Sequence, residues 1–175
     1  MPHDFDSAVR GLLNGDFSAS LPLMEGGEKS QIAQWFDAGR FADHQDALAE
    51  ALTCACFLGE TATAEHLIKG GVDLSAGNLT GLDAIHWAGN RGELAAVELL
   101  LRYNVDLETT SMYGANALGT VVWSLLNEPR GEQLAVIERL LDAGADLGAA
   151  HIAELGFPTG HEELDRLIAG RVTNE

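Results

Sequence analysis

Ala84-Ile85-His86-Trp87-Ala88-Gly89-Asn90-Arg91-Gly92-Glu93-Leu94-Ala95-Ala96-Val97-Glu98-Leu99-Leu100-Leu101-Arg102 is the stretch on which the fold turns. Ile85, Ala88 and Gly89 stand at i, i+3 and i+4, one face of a short helix. Gly92 follows where a left-handed C-cap belongs, because a residue without Cβ takes positive φ without steric cost. Leu94, Val97, Leu100 and Leu101 form a second stripe, with Glu98 and Arg102 at i, i+4 on its wet side. Tyr103-Asn104-Val105-Asp106 then turns the chain. Neither helix can bury its stripe alone, so the pair has to stack on copies of itself.

Such copies lie 33 residues away on either side. Ala51-Leu52-Thr53-Cys54-Ala55 aligns with Ala84-Ile85-His86-Trp87-Ala88, and Gly59-Glu60 with Gly92-Glu93. Leu67-Ile68 falls on Leu100-Leu101, Val72-Asp73-Leu74 on Val105-Asp106-Leu107, and Gly81 on Gly114. Beyond Leu118 the register slips by about seven residues, because Leu140-Leu141 and Asp146-Leu147 come late. Asn127-Glu128-Pro129-Arg130-Gly131 reads as the loop that absorbs the insertion, near residues 127–132, between two helices.

At this point the residues resemble the ankyrin repeat. The second unit matches its pattern at Gly81, Ile85, His86, Ala88, Gly92, Val97, Leu100, Leu101 and Asp106. The third matches at Gly114, Ala117, Leu118, Ile137, Leu140, Leu141, Gly144, Ala145 and Asp146. The resemblance implies an all-α solenoid of about five helix pairs with short finger-like turns. Residues 46–147 would hold three repeats, with degenerate capping helices over 1–45 and further capping helices over 148–175. The family's Thr-Pro is replaced by Asp83-Ala84 and Asn116-Ala117, and Asp or Asn serves as an N-cap just as well. Its His survives only at His86, with Thr53 and Gly119 in the equivalent places; Leu48 replaces the first turn glycine, so that unit should start on a helix.

The capping segments follow the same logic. Phe5, Ala8, Val9, Leu12 and Leu13 form one amphipathic helix ended by Asn14-Gly15, and Ile32, Ala33, Trp35 and Phe36 another. At the far end Leu164, Leu167 and Ile168 supply a closing apolar face behind Gly160-His161.

Composition narrows the function. Asp and Glu number 27 against 10 Lys and Arg, a formal charge of −17, and the excess is spread along the chain. No basic stripe exists to neutralise phosphates, which argues against nucleic acid and against anionic membranes. The N-terminus has no basic region followed by an apolar run, and residues 109–127, though uncharged, are too polar to cross hydrocarbon. Cys54 and Cys56 cannot bridge each other on a helix and have no His or Cys at metal-ligand spacing, so they read as buried thiols in a reducing, cytoplasmic setting.

Candidate chemistry is thin. His86 with Asp83 at i, i+3 could be drawn as a general base and its orienter, but the resemblance assigns this His to hydrogen bonds joining adjacent turns. His161 and His44 read as helix-start polar residues, and Asp73, Asp106 and Asp146 recur once per unit as turn-capping residues. No nucleophile elbow, phosphate loop or dinucleotide fingerprint is present; no enzyme, metal or cofactor is expected.

The resemblance implies partner contacts at turn tips and on the exposed face of the inner helices. Those positions are Leu79, Thr80, Leu82, Asn90, Arg91, Met112, Tyr113 and Trp123, together with Phe57, Leu58 and Ser124. Phe57, Leu58 and Trp123 fit either a partner site or a core cover, whereas Trp87 is expected in the core. The leading expectation is a monomeric, non-catalytic module binding a protein partner on its concave face, with weak salt dependence. The alternative is an acidic inhibitor or immunity-like protein neutralising a basic enzyme or toxin, with association that slows steeply in salt.

Overall fold

The computed structural model describes residues 4–152 and 156–172, and all regular structure among them is helical. The helices are α1 (Phe5–Leu13), α2 (Leu21–Met24), α3 (Gln31–Asp37), α4 (Gln45–Phe57), α5 (Thr61–Lys69), α6 (Ala84–Arg91), α7 (Leu94–Arg102), α8 (Ala117–Asn127), α9 (Gln133–Asp142) and α10 (Glu162–Val172). Short loops at 58–60, 92–93 and 128–132 fold α4 on α5, α6 on α7 and α8 on α9. The first members pack in the order α4, α6, α8, and the second members in the order α5, α7, α9. Two helical layers result, with one continuous core between them.

Local sequence sets each boundary. Asp4, Ser30, Asp83 and Asn116 accept hydrogen bonds from the backbone N–H three residues on, and so start α1, α3, α6 and α8. Gly92 ends α6 at φ +70°. Position 48, where the first turn glycine is missing, lies inside α4, so the first unit does begin on a helix. The insertion splits its residues: some lengthen α8 to Asn127, and 128–132 form the loop. Buried Gln133 holds that loop, accepting from the Arg130 N–H at 2.9 Å and donating to Ser124 Oγ and the Asn90 carbonyl.

Four details differ from the sequence expectation. On α7 the fully covered positions are Ala96, Val97, Leu99 and Leu100, while Leu94 and Leu101 are half-buried, because α5, α6 and α9 surround this helix on more than one face. Glu98 pairs with Arg139 of α9 at 3.4 Å instead of with Arg102, since the neighbouring outer helix brings a cation within reach. The N-terminal segment carries an extra short helix, α2, begun around Pro22, and Thr63 of α5 donates to the Met24 carbonyl. The C-terminal segment contributes one helix among the described residues, α10 against α9, with Leu164 and Ile168 buried.

Each pair clasps the turn that follows it. Glu50 of α4 accepts from the Leu79 N–H at 2.7 Å, and Thr53 donates to the Gly77 carbonyl at 2.8 Å. His86 of α6 reaches the Ala115 carbonyl through Nε2 at 3.3 Å, and Asn116 donates to the Asp146 carbonyl at 3.1 Å. Within the turns Asp73, Asp106 and Asp146 accept from the N–H groups of Ser75, Glu108 and Gly148, the recurrent turn-capping role expected of them. Gly77 sits so close to α4 that a Cβ would collide with Thr53 Oγ1 and the Ala49 carbonyl. Gly77→Ala should therefore destabilise the protein by about 1–3 kcal/mol in urea titration. Burial holds the Glu50 carboxyl above the ordinary carboxylate range, against the Leu79 N–H and helped by Asp46. Ionisation of a group with a raised folded-state pKa opposes folding, and the penalty disappears as pH falls through that value. Glu50→Gln should melt higher than the wild type at pH 7, and the gap should close as the pH falls towards the ordinary carboxylate value of 4.5.

Candidate functional site

A groove of about 880 Å³ runs along the first-layer helices beneath the turns. Phe57 of α4, Trp87 of α6 and Trp123 of α8 line it, with Tyr113 closing it from a turn tip. The 33-residue spacing accounts for part of the row, because Phe57, Asn90 and Trp123 occupy equivalent places on successive helices, and Trp87 stands one turn before Asn90. Small residues along the same helices, among them Ala55, Ala88 and Gly89, allow close stacking; a Cβ on Gly89 would meet Val121.

The aromatic wall is braced. Phe57 and Trp87 meet edge-on with ring centroids 5.1 Å apart, and Phe17 packs on Phe57 at 5.5 Å. The Arg91 guanidinium lies 4.8 Å from the centre of the Phe57 ring. Trp87 donates its indole N–H to Thr80 Oγ1 at 2.8 Å, which ties the groove wall to a turn tip. At the tips the Met112 N–H donates to the Gly81 carbonyl at 2.8 Å, and its side chain lies across the space a Cβ on Gly81 would fill.

Exposure sorts the sequence candidates. Tyr113 is 79% exposed, Met112 67%, Leu79 57% and Trp123 46%, while Thr80, Asn90 and Arg91 are half-exposed. Phe57 and Leu58 are half-buried against the core, and Phe57 shows one face to the groove. Leu82 is buried instead of exposed, though it still lines the groove; it precedes the N-cap Asp83 and, with Trp87, occupies the two positions of a hydrophobic staple. Ser124 is buried too, its hydroxyl tied to the Asn90 carbonyl and to Gln133.

Trp87, expected in the core, is half-buried against it and also lines the groove wall, because its ring extends past the small neighbours towards Phe57 and Thr80. Its N–H requires a partner and finds one only at the groove edge. The far end of the groove is made by Glu128, Arg130, Ala150 and His151. Glu128 and Arg130 form an ion pair there. These residues fall in the insertion loop and after α9, where the 33-residue register no longer points to equivalents. Gln133 carried no such signal either, and the register that put Ser124 on the contact surface did not show its burial against Gln133.

The titratable groups beside the groove are held by structure. His86 is buried, with Nδ1 2.7 Å from Asp83 Oδ1, and the same oxygen accepts the His86 backbone N–H at 3.2 Å. Both ring nitrogens thus meet acceptors of the fold. Cys54 and Cys56 are buried free thiols; burial raises both, with Cys56 pushed up to about 12, the nearby Asp83 adding to the effect. Among the described residues no group of three or more His, Cys, Asp or Glu side chains is placed to hold a metal ion, and no helix is long and apolar enough to cross a membrane.

No protein-family model matches this chain, and no curated protein matches it. Removing the imidazole by His86→Ala leaves Asp83 buried without its side-chain partner and takes one of two donors from the Ala115 carbonyl, which keeps the Ser111 N–H. That substitution should cost about 3 kcal/mol of stability in chemical denaturation.

Proposed function

We propose that this chain is a non-catalytic protein-binding module built as an ankyrin-type array, which grips a protein partner along its groove and turn tips. The 33-residue period, the paired short helices and the clasped turns all support the array reading. The observation that carries the binding reading is the braced aromatic groove, opening beside Tyr113 and Trp123. Large aromatic side chains held rigidly lose little entropy on contact, which makes them frequent anchors of protein interfaces. A cytoplasmic setting accords with two free thiols kept apart in the core.

The anchors are Tyr113 and Trp123, with Leu79, Met112, Thr80 and Asn90 around them. Leu82 and Trp87 support the wall from below. Because Tyr113 and Trp123 contribute little to the core, their removal separates binding from folding. In Tyr113→Ala/Trp123→Ala, affinity for the specific protein captured from a lysate of the source cell should fall about thirtyfold or more, the loss of about 2 kcal/mol typical of a hot spot. Helical content and melting temperature should stay within error of the wild type. Undiminished capture by the folded variant would remove this groove as the site.

A further inference from the structure

Lys and Arg are absent from all three turns of the array: residues 70–83, 103–116 and 143–152 contain neither. The cations lie elsewhere. Lys69 pairs with Glu65 and Arg139 with Glu98 on the outer layer, Arg130 pairs with Glu128 in the insertion loop, and Arg91 lies over Phe57. Arg102 ends α7 in that same outer layer. What the turns expose instead is Asp73, Asp106, Glu108 and Asp146. Among the described residues none of the three Asp forms an ion pair. The same turns carry the most exposed large apolar side chains among the described residues, Leu79, Met112 and Tyr113.

From this segregation we infer that the turn edge docks a cationic, apolar segment of the partner protein. Lys or Arg side chains meet the turn carboxylates, and aliphatic or aromatic side chains cover Leu79, Met112 and Tyr113. The inference rests on the reading of the chain as a protein-binding module and narrows the chemistry of what it binds. Exposed charge pairs are individually weak, so the carboxylates act on encounter and on choice of partner, while the apolar row supplies the contact that lasts. A nucleic acid or an anionic bilayer is repelled by the same carboxylates, and a second copy of this chain brings another −17.

Three synthetic peptides of equal length test this on the full chain: an amphipathic Lys/Leu peptide, a Lys/Gly peptide without apolar side chains, and a Glu/Leu peptide. Binding is followed by calorimetry at low and high salt. The Lys/Leu peptide should bind at least about tenfold tighter than either other one, and high salt should weaken it only about two- to threefold, because the apolar row supplies most of the lasting contact. Asp73→Asn/Asp106→Asn/Asp146→Asn keeps the turn-capping oxygen while removing charge, so it should weaken binding and flatten the salt dependence with the fold intact. Glu65→Gln/Glu98→Gln/Glu138→Gln, an equal charge change on the outer layer, should leave binding unchanged, and Met112→Ala/Tyr113→Ala should weaken it.

Equal binding of the Lys/Gly peptide, or an equal loss in the outer-layer variant, would reduce the effect to attraction by an acidic chain and overturn the inference. Preference for the Glu/Leu peptide, abolished by Tyr113→Ala/Trp123→Ala, would overturn the cationic partner and leave the module reading standing. Absence of binding by any peptide overturns the inference, and the module reading falls with it only when the specific capture from lysate fails as well. Dimerisation through Met112 and Tyr113, seen by sedimentation, would assign the edge to a second copy instead.

Discussion

The turns of this protein have no regular structure of their own, and their buried polar groups must be satisfied from outside. That constraint organises the molecule. Each inner helix or its N-cap reaches into the turn that follows its own pair: Glu50 and Thr53 into Gly77 and Leu79, His86 into Ala115, Asn116 into Asp146. A buried backbone group left without a partner costs as much as a lost hydrogen bond, so each clasp fixes where its turn can lie. Where the equivalent side chain shrinks to nothing, at Gly119, the backbone itself moves in, and a Cβ there would collide with the Ala150 carbonyl. Different chemistries at one repeat position thus meet the same geometric demand.

Because the turns are pinned, their tips can expose apolar side chains without collapsing onto the core. Leu79 is held by its own N–H, Met112 by the Gly81 carbonyl, and Trp87 by Thr80. The groove below is shaped by the same economy of side-chain size, with Ala and Gly on the stacked helices leaving room for Phe57, Trp87 and Trp123 at its rim. A preorganised wall of this kind loses little freedom when it is covered, which is the physical advantage a binding surface requires.

The acidity acquires a direction in three dimensions. In the chain it is spread along the sequence; within the array Lys69 and Arg139 on the outer layer and Arg130 in the insertion loop pair with Glu65, Glu98 and Glu128, and Arg91 lies over Phe57, so none of these cations pairs with a turn carboxylate. Asp73, Asp106 and Asp146 serve local turn geometry through one oxygen each and still leave a row of charge at the edge. The same residues therefore shape the turn and set its field.

Periodicity, caps and turn signals in the sequence determined the helical class, the pairing of α4 to α9, the N-caps Asp83 and Asn116 and the left-handed Gly92, because each depends on contacts within a few residues. The high exposure of Leu79, Met112 and Tyr113 was legible as well, since turn tips project wherever a repeat is pinned. Only the tertiary structure decided the rest. Leu99 became core because α7 is covered on more than one face; Leu82 went under a staple; Trp87 reached from the core into the groove wall; Ser124 was claimed by Gln133. It also joined Glu128, Arg130 and His151 to one end of the groove and set Arg139 of the opposite layer against Glu98. These outcomes depend on which neighbour a side chain meets across the stack, and an alignment of equivalent positions cannot specify that once an insertion breaks the register.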